Sequence, residues 1–345
     1  MSGKMVKLSV HDNWNTYIEK FPILDVYYSK EYVHLFADVE EGVPEAVYYE
    51  NKDGKVFYPF IKRKIPLKEG YYDIVTPYGY GGPVLDGDRS VITPFYSQFK
   101  RDCIDHNIIT ETIRFHPLLK NHEYMKDVMT VDYIRKTTAV NLTLSLEEIR
   151  KNYASNNKRN IKKANKEGVQ ALVSKNKDDI EVFRDLYYET MDRNNASSYY
   201  YFDKSYFYRQ MDETMLSKTY LLIAKYKEQI IAGIILLIGK DYAHYHLGAS
   251  KTEYLPLRPN NLLFDAMVEL SKSLGLKALH LGGGYQENDN LFKFKASFTN
   301  NNNYYYYMAK NIFDEKIYNE LSQKVLKNLS FSGQSNYFPL YRLKI

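Results

Sequence analysis

The stretch YAHYHLGASKTEYLPLRPNNLLFDAMVELSKSLGLKALHLGGGYQENDNLFKFKASF, residues 242–298, decides how the rest of the chain is read. Its first nine residues alternate aromatic and small side chains, the pattern of a half-buried strand. From Pro259-Asn260 the apolar positions Leu262, Leu263, Ala266, Met267 and Leu270 fall on the stripe of an amphipathic helix, which Gly275 stops. Residues 278–281 read as a buried strand. Gly282-Gly283-Gly284 follows, where backbone approaches a turn or ligand without Cβ interference. A short helix carrying Phe294, Lys295 and Phe298 ends the stretch. Strand, helix and strand in this order imply a parallel pair, and the mouth beyond the carboxyl ends of such strands is where α/β sheets bind ligands.

Working outward, residues 220–226 and 230–238 complete an antiparallel meander that feeds the crossover. Upstream, Ser145 with Glu148 three residues on forms a capping box, and the helix it opens is expected to run to Gly168. A strand at 169–175 and helices at 178–194 and 205–216 come next. After the quoted stretch, 303–309 reads as a last strand and 314–328 as a last helix; the tail from 331 has no reading. In the first half, the Asp53-Gly54 turn joins strands at 46–49 and 56–65 into a hairpin. The tract Pro77-Tyr78-Gly79-Tyr80-Gly81-Gly82-Pro83 is a loop, because three glycines and two prolines sit in neither a helix nor a central strand. A helix at 93–106 and strands at 108–115 and 131–144 complete this half. Hairpin, strand, helix and strand recur after Thr219, so the chain is expected to hold two similar α/β halves.

The series LGAS, a P-N-x-L-L helix start, L-x-L-G-G-G and F-K-x-x-F resembles the acyltransferase domain of the Fem family, peptidoglycan-bridge aminoacyltransferases and their GNAT-fold relatives. The resemblance is good over about residues 140–310 and looser through 71–83. It implies an α/β (α+β) fold of twin GNAT-like domains, with mixed central sheets flanked by helices. Residues 1–143 would be the first half, the acceptor-side wall of a cleft, and 144–345 the acyltransferase half. It also implies an N-acyltransferase of bacterial cell-wall biogenesis, with a nucleotide- or lipid-linked cell-envelope precursor, such as a muropeptide or amino sugar, as acceptor.

Composition sets limits. A chain of 345 residues has ample material for two cores. Its net charge of +5 is too mild to announce a nucleic-acid binder, since phosphate contacts need local clusters. The 35 tyrosines are as compatible with codon bias and core filling as with binding. A single cysteine, Cys103, excludes an internal disulfide framework and suits a reducing compartment. No apolar run has the length of a membrane span or leader, so a cytoplasmic protein with at most peripheral membrane contact is expected. No metal-ligand spacing is present among the eight histidines.

The chemistry of amine acylation needs a proton acceptor and hydrogen-bond donors for an oxyanion. Lys295 is the leading catalytic candidate, chiefly on the family resemblance, with Lys293 as substitute; the plain alternative is an exposed lysine on an amphipathic helix. Tyr245, His246 and Tyr254 border the same mouth, where a buried, satisfied histidine is the plain alternative for His246. Asn260 and Asn261 are expected at the helix start, capping or offering amides to an anion. Lys158, Arg159, Lys162, Lys163 and Lys166 concentrate positive charge, either as a solvated face or as a phosphate site with Arg159 in contact. Arg114 at a strand end and the tyrosines Tyr78 and Tyr80 are candidate substrate contacts in the first half. The loop Leu255-Pro256-Leu257-Arg258-Pro259-Asn260 lacks the glycine-rich pyrophosphate cradle of acetyl-CoA enzymes, and its prolines remove N–H donors. No tightly bound cofactor is expected. The expected donor is an aminoacyl-tRNA, with acyl-CoA, for N-acetylation of a surface-polysaccharide amino sugar, as the alternative. A non-catalytic protein binding RNA or a nucleotide sugar is the third reading.

Overall fold

Local signals act where the sequence places them. In a computed structural model, which describes residues 3–328 and 337–343, Ser145 accepts from the Glu148 amide and the Glu148 carboxylate caps the Ser145 backbone in return. The first elements are β1 (Lys4–Leu8), α1 (Asn15–Ile18), α2 (Lys30–Val39), β2 (Gly42–Asn51), β3 (Gly54–Lys64), β4 (Tyr72–Val75), β5 (Val84–Gly87), α3 (Ile92–Asp105), β6 (Ile108–Arg114) and α4 (His122–Met125). Next come β7 (Asp132–Asn141), α5 (Leu146–Asn152), α6 (Ser155–Lys166), β8 (Gln170–Val173), α7 (Asp179–Arg193) and α8 (Lys204–Gln210). The stretch that anchored the sequence reading supplies β11 (Tyr242–Ser250), α9 (Pro259–Ser273), β12 (Ala278–Gly282) and α10 (Asn290–Ala296), preceded by β9 (Lys218–Tyr226) and β10 (Gln229–Ile238). The described chain closes with β13 (Asn303–Ile312) and α11 (Glu315–Asn328), then a short turn of helix at Leu340–Arg342. Residues 329–336, within and before the unassigned tail, lie outside the described residues.

The chain forms two compact units, one of residues up to Ile134 together with those from Tyr306, the other of Arg135–Tyr305. In the first unit the strands pair in the order β1, β2, β3, β4, β6, β13, all antiparallel except β4 with β6. In the second the order is β8, β9, β10, β11, β12, β7, all antiparallel except β11 with β12. Apart from β5, which pairs with β3 in the first unit, the two strand orders match, which is the twin arrangement expected. The units differ from a division at 143/144, because each sheet takes its last strand from the other half of the chain. β7 pairs with β12 and β13 pairs with β6, so β13 and α11 belong with the first unit.

Each unit has its own core. In the first, Tyr58, Ile74, Phe95, Phe99 and Ile113 are buried together. The buried carboxyl group of Glu111 accepts from Tyr58, Tyr96 and Asn311, as a buried polar group requires. In the second, Leu222, Ile234, Leu236, Leu263, Met267 and Leu279 form the centre. Helix α9 is more deeply buried than an amphipathic stripe predicts: Asn261, Leu263, Phe264, Asp265, Met267, Val268 and Ser271 are all shielded. The polar members of that set have partners. Asp265 accepts from Arg150 Nε at 2.9 Å and from the Tyr153 hydroxyl at 3.1 Å. Asn261 donates to Asn157, which donates to Ser297 at 2.7 Å.

That network explains a second difference from the sequence. The helix opened at Ser145 does not run to Gly168; it breaks at Tyr153 and Ala154, both in extended conformations. Tyr153 is buried with its hydroxyl on Asp265, and the Ala154 amide donates to Ser297 O at 2.9 Å. Tertiary hydrogen bonds replace one turn of helix.

We expect Asn157→Leu to strand the Asn261 and Ser297 side chains in the interior. Each lost buried partner costs about 1–3 kcal/mol, so the denaturation midpoint should fall with an unchanged m value in equilibrium urea unfolding.

Candidate functional site

The second unit contains a parallel pair that separates. β11 and β12 are paired only at Tyr242 with Ala278, Ala243 with Leu279 and His244 with His280. On its other side β11 carries a bulge: Ile235 faces Leu247 and Leu236 faces Tyr245, which leaves His246 as the extra residue. β12 ends at Gly282 with φ of 75°, in the left-handed region that glycine enters without strain. Beyond His244, among the described residues, the β11–β12 ladder has no further pair, while 245–248 stays in register with β10 apart from the bulge. An amide of this segment that alternates toward the gap, away from β10, can donate to a ligand.

Lys295 stands beside this gap because α10 is tied back toward it. Asp289 caps α10 by accepting from the Phe292 amide at 2.8 Å, and it also accepts from the amides of Tyr285 at 2.6 Å and Gln286 at 3.0 Å. Burial would raise the Asp289 carboxyl, but these backbone donors outweigh it and hold the group ionised. The turn is so tight that a Cβ on Gly284 would meet Asp289 Oδ1 at 1.9 Å, and one on Gly283 would meet Lys136 O at 2.7 Å. The Lys295 side chain points inward, 6% exposed, with Nζ donating to Gly283 O at 2.8 Å and lying 5.0 Å from the centre of the Tyr245 ring. Burial pushes its ammonium down to about 7, the attraction of Asp289 opposing this and the nearby Arg135 cation adding to it. An amine poised between its two forms at neutral pH can take or give a proton. The alternative of an exposed lysine is not what the fold builds.

Tyr245 and His246 flank the same gap. The Tyr245 ring packs on Phe264, and its hydroxyl lies over Gly248, where a Cβ would approach it to 2.2 Å. Burial raises the phenol above its ordinary range, so it stays protonated. His246 Nε2 is 2.6 Å from the Tyr206 hydroxyl. Burial, with a contribution from His244, pushes the imidazole down to about 3, so it is neutral at physiological pH and accepts from the phenol. It holds Tyr206 and the aromatic group of Phe202 and Tyr187 behind the bulge.

The remaining candidates are dispersed. Asn260 donates to Ser250 Oγ at 3.3 Å, and Asn261 is the buried partner of Asn157. Neither caps α9: the position before Pro259 is Arg258 in a left-handed conformation, with no side-chain cap. Tyr254 donates to Gln229 Oε1. Arg159 is exposed on α6 with Lys162, Lys163 and Lys166. In the first unit, Tyr78 stacks on Phe36, Tyr80 packs against Tyr27, His116 and Tyr306, and the Arg114 guanidinium donates to Thr76 O at 2.7 Å. These three read as a packed loop and its anchor.

Sequence reasoning passes over Tyr206, Asp289 and Arg135. Asp289 carries a local signal, an Asp three residues before Phe292 at a helix start. Tyr206 and Arg135 carry none, since their partners lie 40 and 150 positions away, at His246 and at the Tyr285 carbonyl.

Residues 151–295 match the model of the acetyltransferase (GNAT) domain family. Among solved structures, FemX superposes with a TM-score of 0.68 at 13% identity, over 91% of this chain and 99% of its own. L-PGS from Bacillus licheniformis gives 0.57 at 12% identity, over 86% and 90%. The C-terminal domain of an Agrobacterium fabrum protein assigned as a lysylphosphatidylglycerol synthetase gives 0.51 at 13% identity, over 79% and 89%. No curated protein sequence matches. The match to the acetyltransferase (GNAT) family takes in the parted strands and the buried lysine, so residues 151–295 form an acyltransferase domain of GNAT type, in a chain that shares the FemX fold along most of its length.

Proposed function

We propose that the protein transfers an aminoacyl group from an aminoacyl-tRNA to an amine on a nucleotide- or lipid-linked cell-envelope precursor. The observation that carries the choice of donor is the approach to α9. Residues Thr252–Leu257 form a tight helical turn, Arg258 is left-handed, and Pro256 and Pro259 have no N–H. This segment offers little of the amide cradle that a CoA pyrophosphate requires. The acceptor class rests on the Fem resemblance of the sequence and on the lysylphosphatidylglycerol synthetase among the structural neighbours.

In this reading the ester carbonyl of the donor enters the gap between β11 and β12. Amides of the 245–248 segment face its oxygen, and negative charge forming there is met by N–H dipoles already in place. The acceptor amine attacks the carbonyl carbon, and neutral Lys295 takes the proton that the amine releases. Collapse of the tetrahedral species breaks the ester bond and returns a proton to the ribose hydroxyl. Tyr245 lines the gap as a protonated phenol, and His246 fixes the aromatic wall rather than exchanging protons. The match to an acetyltransferase family model favours a second reading, in which an acyl-CoA thioester enters the same gap.

Four measurements test this. Lys295→Ala should lower kcat by about two to four orders of magnitude, the usual range for a lost general base, with donor Kd retained; unchanged turnover would remove Lys295 from the chemistry. In the wild type, kcat/KM should climb with pH and level off above about 7, where Lys295 loses its proton, and that limb should vanish in the variant. The stability of the fold carries the same signature. A lysine lowered from 10.5 to about 7 binds fewer protons folded than unfolded between those values, so its burial penalty is full below 7 and fades as pH rises. Lys295→Met should therefore gain most over the wild type near pH 6, with the gap in urea midpoint narrowing toward pH 9. Finally, filter retention of charged tRNA against equilibrium dialysis with acetyl-CoA separates the donors; saturable CoA binding without tRNA retention would favour the second reading.

A further inference from the structure

Another cleft of the same unit has no part in the chemistry above. About 490 Å³ in volume, it lies along the face of α10 that carries Phe292, Lys293 and Ala296, turned from the Lys295 side chain. It is lined as well by Asn152 and Ala154 at the break between α5 and α6, and by Asn288, Ser297, Asn300 and Asn301. The lining combines the apolar Ala154, Phe292 and Ala296 with four side-chain amides, each with a donor and an acceptor. No carboxylate lines it. Lys293 is exposed at its edge. The first turn of α6 begins there; its N-cap residue Ala154 supplies no side-chain cap, the Asn157 amide is taken by Asn156 Oδ1, and the exposed Arg159, Lys162, Lys163 and Lys166 continue along that helix.

We propose that this cleft is a nucleotide subsite. An aromatic base has apolar faces and an edge of paired donors and acceptors, which are the complements of the apolar and carboxamide parts of this lining. A phosphate next to it is met by the Lys293 ammonium and the amides at the start of α6. Two carriers present this chemistry, the terminal nucleotides of an RNA strand and a free nucleotide such as the adenylate of CoA. The RNA is favoured by the cations that extend along α6, because a single nucleotide needs no such track. This choice of carrier rests on the aminoacyl-tRNA reading; the subsite itself does not.

The test uses the full chain and two exposed substitutions outside the Lys295 machinery, Lys293→Glu and Asn152→Asp. Binding is measured by fluorescence anisotropy for an RNA hairpin with a single-stranded 3′ CCA end, and by calorimetry for CoA and for a nucleoside diphosphate sugar. The expected result is RNA affinity weakened about tenfold in each variant at low salt, with the salt dependence of log K less steep by about 1 in Lys293→Glu. RNA that binds wild type and variants equally would overturn the subsite while leaving the aminoacyl-tRNA donor standing. Binding of CoA or the nucleoside diphosphate sugar that the variants weaken, with no RNA binding, would support the subsite and overturn the aminoacyl-tRNA reading. If none of the three ligands binds the wild type, both fall.

Discussion

The ladder between β11 and β12 lasts three residue pairs, and the site depends on its stopping there. A parallel pair that continued would bond the backbone of 245–248 to its neighbour and close the gap. Two features end it. The bulge places His246 as an extra residue and turns β11 more sharply, and Gly282 takes β12 out of the sheet through a conformation that other residues resist. The burial of α9 in the same unit, with its polar side chains matched to Arg150, Tyr153 and Asn157, holds the sheet around the gap.

The second constraint is electrostatic. Lys295 is a cation in a poorly solvated position with one carbonyl to bond, and burial dominates its proton affinity. The nearest compensating charge, Asp289, is already engaged by three backbone amides. That engagement gives Asp289 a structural task, shaping the turn that aims α10, and leaves Lys295 only partly neutralised. A carboxylate bonded directly to the ammonium would have kept the lysine charged and unreactive. His246 shows the opposite use of burial: its imidazole is kept neutral and spent on orienting Tyr206.

Much of the fold was legible because its signals are local. The Asp53-Gly54 hairpin, the Ser145 capping box, the glycine loop at 77–83 and the β11-α9-β12 crossover each follow from residues within a few positions of one another. Position 295 was found through the order of motifs around it. Its state was not, since Lys293, two residues earlier, has the same charge and shares Phe294 as a neighbour, yet faces solvent. The helix break at Tyr153 and the inward turn of Asn261 were hidden for the same reason. Asparagine before an apolar run is a capping signal, and only the arrival of α6 and Ser297 makes a buried position for it.

By itself the sequence determined which segments are strands and helices, that two like halves are present, and where a parallel crossover would carry chemistry; periodicity, turn residues and motif order suffice for these because each acts over short range. Tertiary structure decided the rest. It exchanged β7 and β13 between the two sheets, since strand pairing is chosen by long-range hydrogen bonding and burial rather than by chain order. It also separated two lysines two residues apart into an exposed cation and a buried amine near neutrality, because desolvation depends on everything that packs around a side chain.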